Sequence, residues 1–379
     1  MINREQLEAL LDHHGDTHPV VSLYVNVDLP KKFGSELNSM MREKIRELRE
    51  GRKLPAEEIS GIEKLLSDIE KKIKVRSGYF PGTKMLAVFA DTEGFWQEFE
   101  LPIQYPNRLI IEPDPYTRPL TAARDQFSRF CLLVSNSHKA RIMTLQANQL
   151  MQEQEIFVEE EIQQGSTDEA WRGLGEQHLE RSERDMLYKH IKHITDMTFE
   201  LFKKGKYDYL LLGAPKDREL PIIKDNLHSY LQKHLIGSFN GRPDEPAEDI
   251  LKKAREVTDE WDRKLERDLM DFLKSEDYEG GKAIKGIGPT LKALMNGQVH
   301  TLAVTENYSR GGYICVDDHY LDLSKKRCPV CGNQLRPVDD LVNEMVEETV
   351  NQNGEVRYIK YFPDELKEEG IAARLRFVM

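Results

Sequence analysis

The chain has little cysteine, no long apolar run and no excess of positive charge, and each of these shortages argues against particular classes of protein. No apolar stretch approaches the roughly 20 residues that a membrane helix needs, and the first residues lack the apolar core of a secretory signal. The net charge of −12 argues against a protein that coats nucleic acid nonspecifically, although it leaves room for local basic patches. We therefore expect a cytoplasmic protein without a membrane partner.

The 379 residues suffice for two to three domains, each large enough to bury a core. Predicted strands and helices alternate along the chain, which indicates α/β domains. Their order divides the chain into an N-terminal domain at 1–126, a middle domain at 127–278 and a C-terminal domain at 279–379. The glycine-rich segment 280–288 only superficially resembles a phosphate loop, because it lacks that loop's residue order and no strand precedes it.

The middle domain contains a polar segment at about 160–180 that the pattern predicts to be irregular. A helix is predicted to follow at 182–204, and single helices are predicted at 221–234 and 247–273. The irregular segment would therefore lead directly into a long helix.

Three of the four cysteines cluster near the C-terminus, and without a secretory signal such a cluster points to a metal before a disulfide. A Cys-x-x-Cys turn places two sulfurs on one ion, and a second pair from a neighbouring hairpin completes a closed tetrahedral shell. We predict structural Zn²⁺ in a knuckle at 313–335, with the ligands Cys315, His319, Cys328 and Cys331. Asp317 and Asp318 are poorer candidates for the fourth ligand, and a redox Cys-x-x-Cys pair is the alternative interpretation.

Several segments resemble the archaeal and eukaryotic class-1 peptide release factors and the related Pelota proteins. The most specific is the run from Gly288 to Val299, followed by the strand Thr301–Val304, and the ending Glu368–Phe377 is similar too. The opening Val20–Val25 resembles the start of the family's first domain. The order of elements fits along nearly the whole chain, and the bacterial branch, which includes the hibernation factor Balon, shares this plan.

The resemblance implies a fold and a place of action. The fold would be α/β with three domains: an N-terminal α/β domain, an RNase-H-like middle domain, and an L7Ae-like C-terminal domain with an inserted zinc-ribbon-like subdomain. The protein would act at the ribosomal A site, in ribosome rescue or hibernation. Its partners would be the ribosome, through ribosomal RNA and P-site tRNA, and a translational GTPase, and we expect a monomer.

The chain differs from the release factors in two sequence motifs that those factors use for their function. It lacks the run Asn-Ile-Lys-Ser, which those factors use to read stop codons, so stop-codon decoding is not expected. In place of their Gly-Gly-Gln it has Gly175-Glu176-Gln177, in which Gln177 would position water and Gly175 would be one of the glycines. A carboxylate at Glu176 would repel the negative charge that develops during ester hydrolysis.

The same segment forms a local cationic patch on an acidic chain. Cations of this kind contact phosphates, and we predict RNA binding by Arg172, His178, Arg181, Arg184, Lys189 and Lys192, with His190 and His193 nearby. Interleaved acidic residues leave an ordinary solvated helix face as the alternative.

Three hypotheses follow for function. The first is a factor that binds the ribosome without hydrolysis, and the second is peptidyl-tRNA hydrolysis with Gln177. The third is an RNA-binding or adaptor protein that does not act on ribosomes.

Overall fold

The structure, a computed structural model, describes residues 9–10, 13, 18–27, 30–51, 54–76, 83–101, 106–124, 129–146, 149–157, 172–205, 207–216, 219–306, 308–315 and 317–378. It divides into two compact units: unit one comprises residues 1–123 and 272–379, and unit two comprises residues 124–271. The further division of unit one into two predicted domains, 1–126 and 279–379, stays a prediction. None of the helices among these residues is long and apolar enough to cross a membrane.

The described elements form a mixed α/β fold with several sheets. The helices are α1 Pro30–Gly51, α2 Ala56–Arg76, α3 Arg118–Arg124, α4 Arg172–Gly205, α5 Glu219–Asn226, α6 Ser229–His234, α7 Ala247–Ser275, α8 Ile287–Met295 and α9 Leu341–Asn351, with a 3-10 helix at Pro363–Leu366. The strands are β1 Val20–Asn26, β2 Met85–Ala90, β3 Trp96–Leu101, β4 Arg108–Glu112, β5 Arg129–Ser135, β6 Lys139–Gln146, β7 Gln149–Phe157, β8 Tyr209–Gly213, β9 Leu235–Phe239, β10 Ala283–Lys285, β11 Val299–Thr305, β12 Gly312–Ile314, β13 Leu321–Asp322, β14 Arg336–Val338, β15 Glu355–Ile359 and β16 Ile371–Leu375.

The first segment of unit one contains an antiparallel sheet of order β3-β2-β1-β4. One face of β1, with Val21 and Leu23, joins the core that includes Ile62 and Leu66 of α2. Because α2 has apolar residues at helical spacing, it can bury one continuous stripe on the sheet. The neighbouring side chain Tyr24 instead makes an edge-on ring contact with Phe89 on β2.

The second segment of unit one contains a sheet of order β10-β16-β11-β15, in which only β11 and β15 run parallel among the paired strands. Helices α8 and α9 contribute to its core, for example through Leu294 and Met345. A small antiparallel sheet of order β13-β12-β14 is inserted between β11 and α9. This insertion carries the clustered cysteines.

Unit two is built around a five-stranded mixed sheet of order β7-β6-β5-β8-β9. On one face, Leu133 of β5 packs in a core with Ile191 of α4 and Leu231 of α6. On the other, Leu132 of β5 packs in a core with Ile250 of α7. Since successive strand residues point to opposite faces, the apolar run in β5 can serve both cores.

The sequence patterns misplace two features of unit two. Helix α4 begins at Arg172, so the segment predicted to be irregular at 160–180 is helical from that residue onward. The polar composition of residues 160–180 suggested irregular structure, but the leucine, glutamate, glutamine and arginine residues from 174 onward are good helix formers. The single helix predicted at 221–234 is two helices, because His228 caps a new helix by accepting a hydrogen bond from the Tyr230 backbone N–H.

Candidate functional site

The small inserted sheet brings the C-terminal cysteines together. Cys315 follows β12 directly, and Cys328 and Cys331 lie in the turn that precedes β14. Within that turn the backbone N–H of Cys328 donates to the carbonyl of Asn333 at 2.8 Å, and that of Gly332 donates to the carbonyl of Cys328 at 3.0 Å. Gly332 has a φ of 78°, a left-handed conformation that glycine adopts at little cost.

The side chains at this turn form a compact group of ligand atoms. Cys315, Asp318, Cys328 and Cys331 each place one such atom within 4.8 Å of the other three. The Sγ atoms of Cys315 and Cys331 are 3.5 Å apart, and the Sγ of Cys328 is 3.2 Å from Oδ2 of Asp318. The sulfurs are too far apart for a disulfide, whose S–S bond is about 2.05 Å. Tetrahedral zinc with Zn–S bonds of about 2.3 Å needs donors about 3.8 Å apart, so the group fits a metal ion after a small expansion.

Hydrogen bonds within this group also favour a cation. Bonds from the thiols, that of Cys331 foremost, lower the pKa of the Asp318 carboxyl group, and the bond to Asp318 raises the pKa of the Cys331 thiol to about 12. A dication would replace the shared protons and satisfy all four groups at once, so metal binding would release protons. The backbone N–H of Val330 points to Sγ of Cys328 at 3.4 Å, which supports a thiolate there. Four protein ligands leave no open position, which is typical of a structural site.

The structure places Asp318, rather than His319, among the ligand atoms. His319 has a φ of 51° and is not a member of the group. Asp317 accepts a hydrogen bond from Asn333 at 2.6 Å and lies outside the group. The predicted ligation by His319 stays a prediction, which metal-binding measurements on Asp318 and His319 variants would decide.

All six residues predicted to bind RNA lie on α4, together with Gly175 and Gln177. The side chains at 172–186, and so those of Arg172, His178, Arg181, Arg184 and Gln177, fall outside the described residues. Lys189 and Lys192 are described, and both are exposed, as is His193. The opposite face of this stretch is buried, so α4 presents a cationic face outward.

His190, which the sequence grouped with these cations, is an interior residue. It is only 3% exposed, and its Nε2 lies 3.5 Å from Oγ of Ser135 on β5. Burial lowers the pKa of its imidazole, which favours the neutral ring. His190 therefore lies in the interior of unit two and does not belong to the exposed patch.

A buried charge network in unit one has no signal in the sequence. The Arg118 guanidinium donates to Oδ2 of Asp340 at 2.9 Å and to the carbonyls of Thr305 and Glu306, each at 3.2 Å. The Tyr116 hydroxyl donates to the same Asp340 oxygen at 2.9 Å, and Arg118 and Asp340 are both buried. The network joins the segment after β4 to the residues at the start of α9.

A comparison of sequences shows what this chain is related to. Residues 115–259, which include most of unit two, match the sequence profile of bacterial archaeo-eukaryotic release factor family 10. Peptide chain release factor subunit 1 of Archaeoglobus fulgidus is 27% identical over 168 residues, which are 43% of this chain. The match spans 39% of that curated relative, about two fifths of its length.

Solved structures of related proteins give weaker likenesses. Dom34 of S. cerevisiae, a translation termination-like factor, shares 16% identity over 76% of this chain and 74% of its own, with a TM-score of 0.41. A ribosome-bound archaeal Pelota shares 13% identity over 77% of both chains, with a TM-score of 0.43. The sequence matches relate residues 115–259 to bacterial family 10 of the archaeo-eukaryotic release factors.

Proposed function

We propose that the protein is a ribosome-binding translation factor that occupies the A site in rescue or hibernation and does not hydrolyse peptidyl-tRNA. The observation that carries this proposal is the match of residues 115–259 to a release-factor family. The ribosome is the partner that this family match suggests. P-site tRNA, a delivering translational GTPase and a monomeric state belong to the same proposal.

Two features of α4 support binding without hydrolysis. Glu176 places a carboxylate beside the residue that would have to position water, and that charge opposes a developing oxyanion. Gln177 lies in the second turn of the helix, where its backbone N–H bonds to the carbonyl four residues earlier and is not free to stabilise an oxyanion. A flexible glycine loop that enters a narrow channel has neither feature.

The exposed cationic face of α4 is the proposed RNA contact. Lys189 and Lys192 lie one turn apart and both reach solvent, so they can contact neighbouring phosphates. Arg172, His178, Arg181 and Arg184 would extend this contact along the preceding turns. In this proposal Zn²⁺ in the knuckle only stabilises unit one and takes no part in chemistry.

Co-sedimentation with 70S ribosomes over a salt series tests the proposal. Wild-type protein should bind at low salt and dissociate steeply as salt rises, because phosphate contacts release counterions. The double variant Lys189→Glu/Lys192→Glu should bind more weakly, with a slope of log affinity against log salt that is smaller by roughly 0.7–0.9 per lost contact. Lys252→Glu/Lys264→Glu is the matched control, since both lysines are exposed on α7 of the same unit.

The outcome also separates the alternative functions. Lack of ribosome binding at low salt would contradict the proposal and favour the RNA-adaptor hypothesis. Peptide release that is lost in Gln177→Ala would favour hydrolysis instead. We expect neither the wild type nor Gln177→Ala to release peptide, and we expect both proteins to occupy the ribosome equally.

A further inference from the structure

A second surface of unit two combines stacked rings with lysines, and it lies at the other end of α4. Its members, called here the aromatic–basic patch, are Phe199, Lys203, His228, Tyr230, Lys233 and His234. The rings of Phe199 and His228 stack with centroids 4.1 Å apart and an interplanar angle of 23°. The ring of Tyr230 lies 4.5 Å from that of His234.

The patch is a platform supported from the interior. Phe202, which is 1% exposed, lies beneath it, with its ring centroid 6.0 Å from that of Tyr230 and 5.1 Å from that of His234. Tyr230 itself is 41% exposed, and His228 is exposed beside it. A large ring that is fixed below and open above loses little conformational entropy when it binds a flat partner.

The lysines of the patch are exposed, and their ion pairs can be assessed among the described residues. Lys203 places its Nζ 4.8 Å from the centroid of Phe199, and Lys203 and Lys233 are both exposed. Among the described residues, no carboxylate pairs with either of them, although the chain has a net charge of −12. On α7 of the same unit, by contrast, Lys253 pairs with Glu245 at 2.6 Å.

This surface is separate from the RNA contact in the proposed function. Lys203 follows Lys192 by three turns of α4, which corresponds to roughly 16 Å at 1.5 Å per residue. Placement at helix ends accounts for Lys203 and Lys233, since cations stabilise a helix C-terminus. It does not account for the exposed ring of Tyr230.

We propose that the aromatic–basic patch binds unpaired RNA, with a base stacked on Tyr230 and the neighbouring phosphates contacted by Lys203 and Lys233. Aromatic rings that accept bases, flanked by cations that follow the backbone, are the usual means of holding single-stranded nucleic acid. The assignment of this RNA to the ribosome rests on the proposed function. The proposal that the patch binds an unpaired strand does not depend on the proposed function.

The test uses the full chain and a 12-nucleotide oligouridine labelled for fluorescence anisotropy. Tyr230→Leu, which still covers Phe202 but removes the aromatic face, should weaken binding about tenfold. Tyr230→Phe should bind like the wild type. Tyr278→Leu is the matched control, because Tyr278 is an exposed tyrosine of unit one, outside the patch.

Two further measurements complete the test. Lys203→Glu/Lys233→Glu should reduce the slope of log affinity against log salt by about 1.4, the value for two phosphate contacts on a single strand, whereas Lys252→Glu/Lys264→Glu should not. With 4-thiouridine in the oligonucleotide, photo-crosslinks should map to Tyr230 or its patch neighbours. Equal affinity of Tyr230→Leu and Tyr230→Phe, or crosslinks confined to other surfaces, would overturn the proposal.

The oligonucleotide and the ribosome give independent answers. Patch-dependent oligouridine binding without ribosome co-sedimentation would keep this inference and refute the proposed function. Ribosome binding that is unaffected by Tyr230→Leu, with no patch-dependent oligouridine binding, would refute this inference and keep the proposed function.

Discussion

Arg118 of unit one and three exposed lysines of unit two use their charge in opposite ways. In unit one, Arg118 lies in the interior and directs its donors to Asp340 and to two carbonyl groups. In unit two, Lys189, Lys192 and Lys203 lie at the surface, and none pairs with a carboxylate among the described residues. A cation that is buried and satisfied contributes to the architecture, whereas one that is exposed and unpaired is available to a polyanion. The comparison predicts that substitution of Arg118 changes stability and that substitution of the three lysines changes binding.

The largest expected effect comes from removing a ligand of the proposed zinc site. Cys328→Ser should abolish stoichiometric zinc, and amide hydrogen exchange should then accelerate around β12–β14 of unit one while unit two stays unchanged. Metal content after dialysis and exchange measured by mass spectrometry provide the readout. Faster amide exchange in unit two would contradict the expectation that the proposed zinc site stabilises unit one alone.

The fourth ligand can be decided on the same preparation. Removing a group that only orients a ligand already costs about 10–100-fold in metal affinity, so removing a direct ligand should cost at least as much. Asp318→Ala should therefore weaken metal binding in a chelator competition, and His319→Ala should leave it near the wild-type value. The reverse result would support the ligand that the sequence predicted.

Breaking the buried ion pair of unit one should have the next largest effect. Arg118→Met leaves Asp340 buried without its cation, and changes of this kind cost about 3–5 kcal/mol in the free energy of unfolding. The matched control is Arg310→Met, at an exposed arginine of the same unit, which should change stability by about 0.5 kcal/mol or less. Urea denaturation measures both. Similar midpoints for the two variants would contradict a structural role for Arg118.

The pH dependence of the two units should differ in sign, and this is the smallest of the expected effects. In unit one, burial raises the pKa of the Glu344 carboxyl group well above its usual value, and the nearby acids Glu347, Asp114 and Glu112 raise it further. Folded unit one therefore binds this proton more tightly than the unfolded chain, so its stability falls as pH rises from about 4.5 through the raised pKa. In unit two, burial lowers the pKa of His190, so stability falls as pH drops below about 6.5.

Two substitutions test this difference. Glu344→Gln should flatten the slope for unit one, and His190→Gln should flatten that for unit two, each by up to about 1.4 kcal/mol per pH unit for one proton. Amide exchange measured over a pH series, corrected for intrinsic rates, reports each unit separately. An unchanged slope in either variant would show that another group controls the pH dependence of that unit.

Local patterns in the sequence predicted most of the described strands and the longer helices. The strand expected at Thr301–Val304 lies within β11, and the helix predicted at 247–273 is α7, because continuous apolar runs specify buried strands and apolar residues at helical spacing specify helices. Short elements such as α3 and β9 were missed, since a few residues carry too little periodicity. The start of α4 was misplaced because the polar composition of residues 160–180 suggested irregular structure, whereas residues from 172 onward are helical.

Only those parts of the sites whose residues are close together in the sequence could be predicted from it. The Cys-x-x-Cys turn indicated the metal cluster, but the choice between Asp318 and His319 depends on the backbone conformation of one turn. Arg118 and Asp340 are separated by 222 positions, so neither spacing nor composition could connect them. The aromatic–basic patch was missed for the same reason, because its rings come from α4 and from the α5–α6 connection, which look unrelated in sequence.

Because Arg118 and Asp340 are 222 positions apart, Arg118 is translated well before its carboxylate partner. At about 5–20 residues per second, the nascent chain holds Arg118 for on the order of 10–40 seconds before its carboxylate partner is made. All of unit two is translated during that interval and can fold first. The N-terminal sheet is then complete in sequence but still lacks the residues that neutralise its last segment. We therefore expect newly made chains to pass through a stage in which Arg118 is hydrated, and this stage ends when the C-terminal part has been translated.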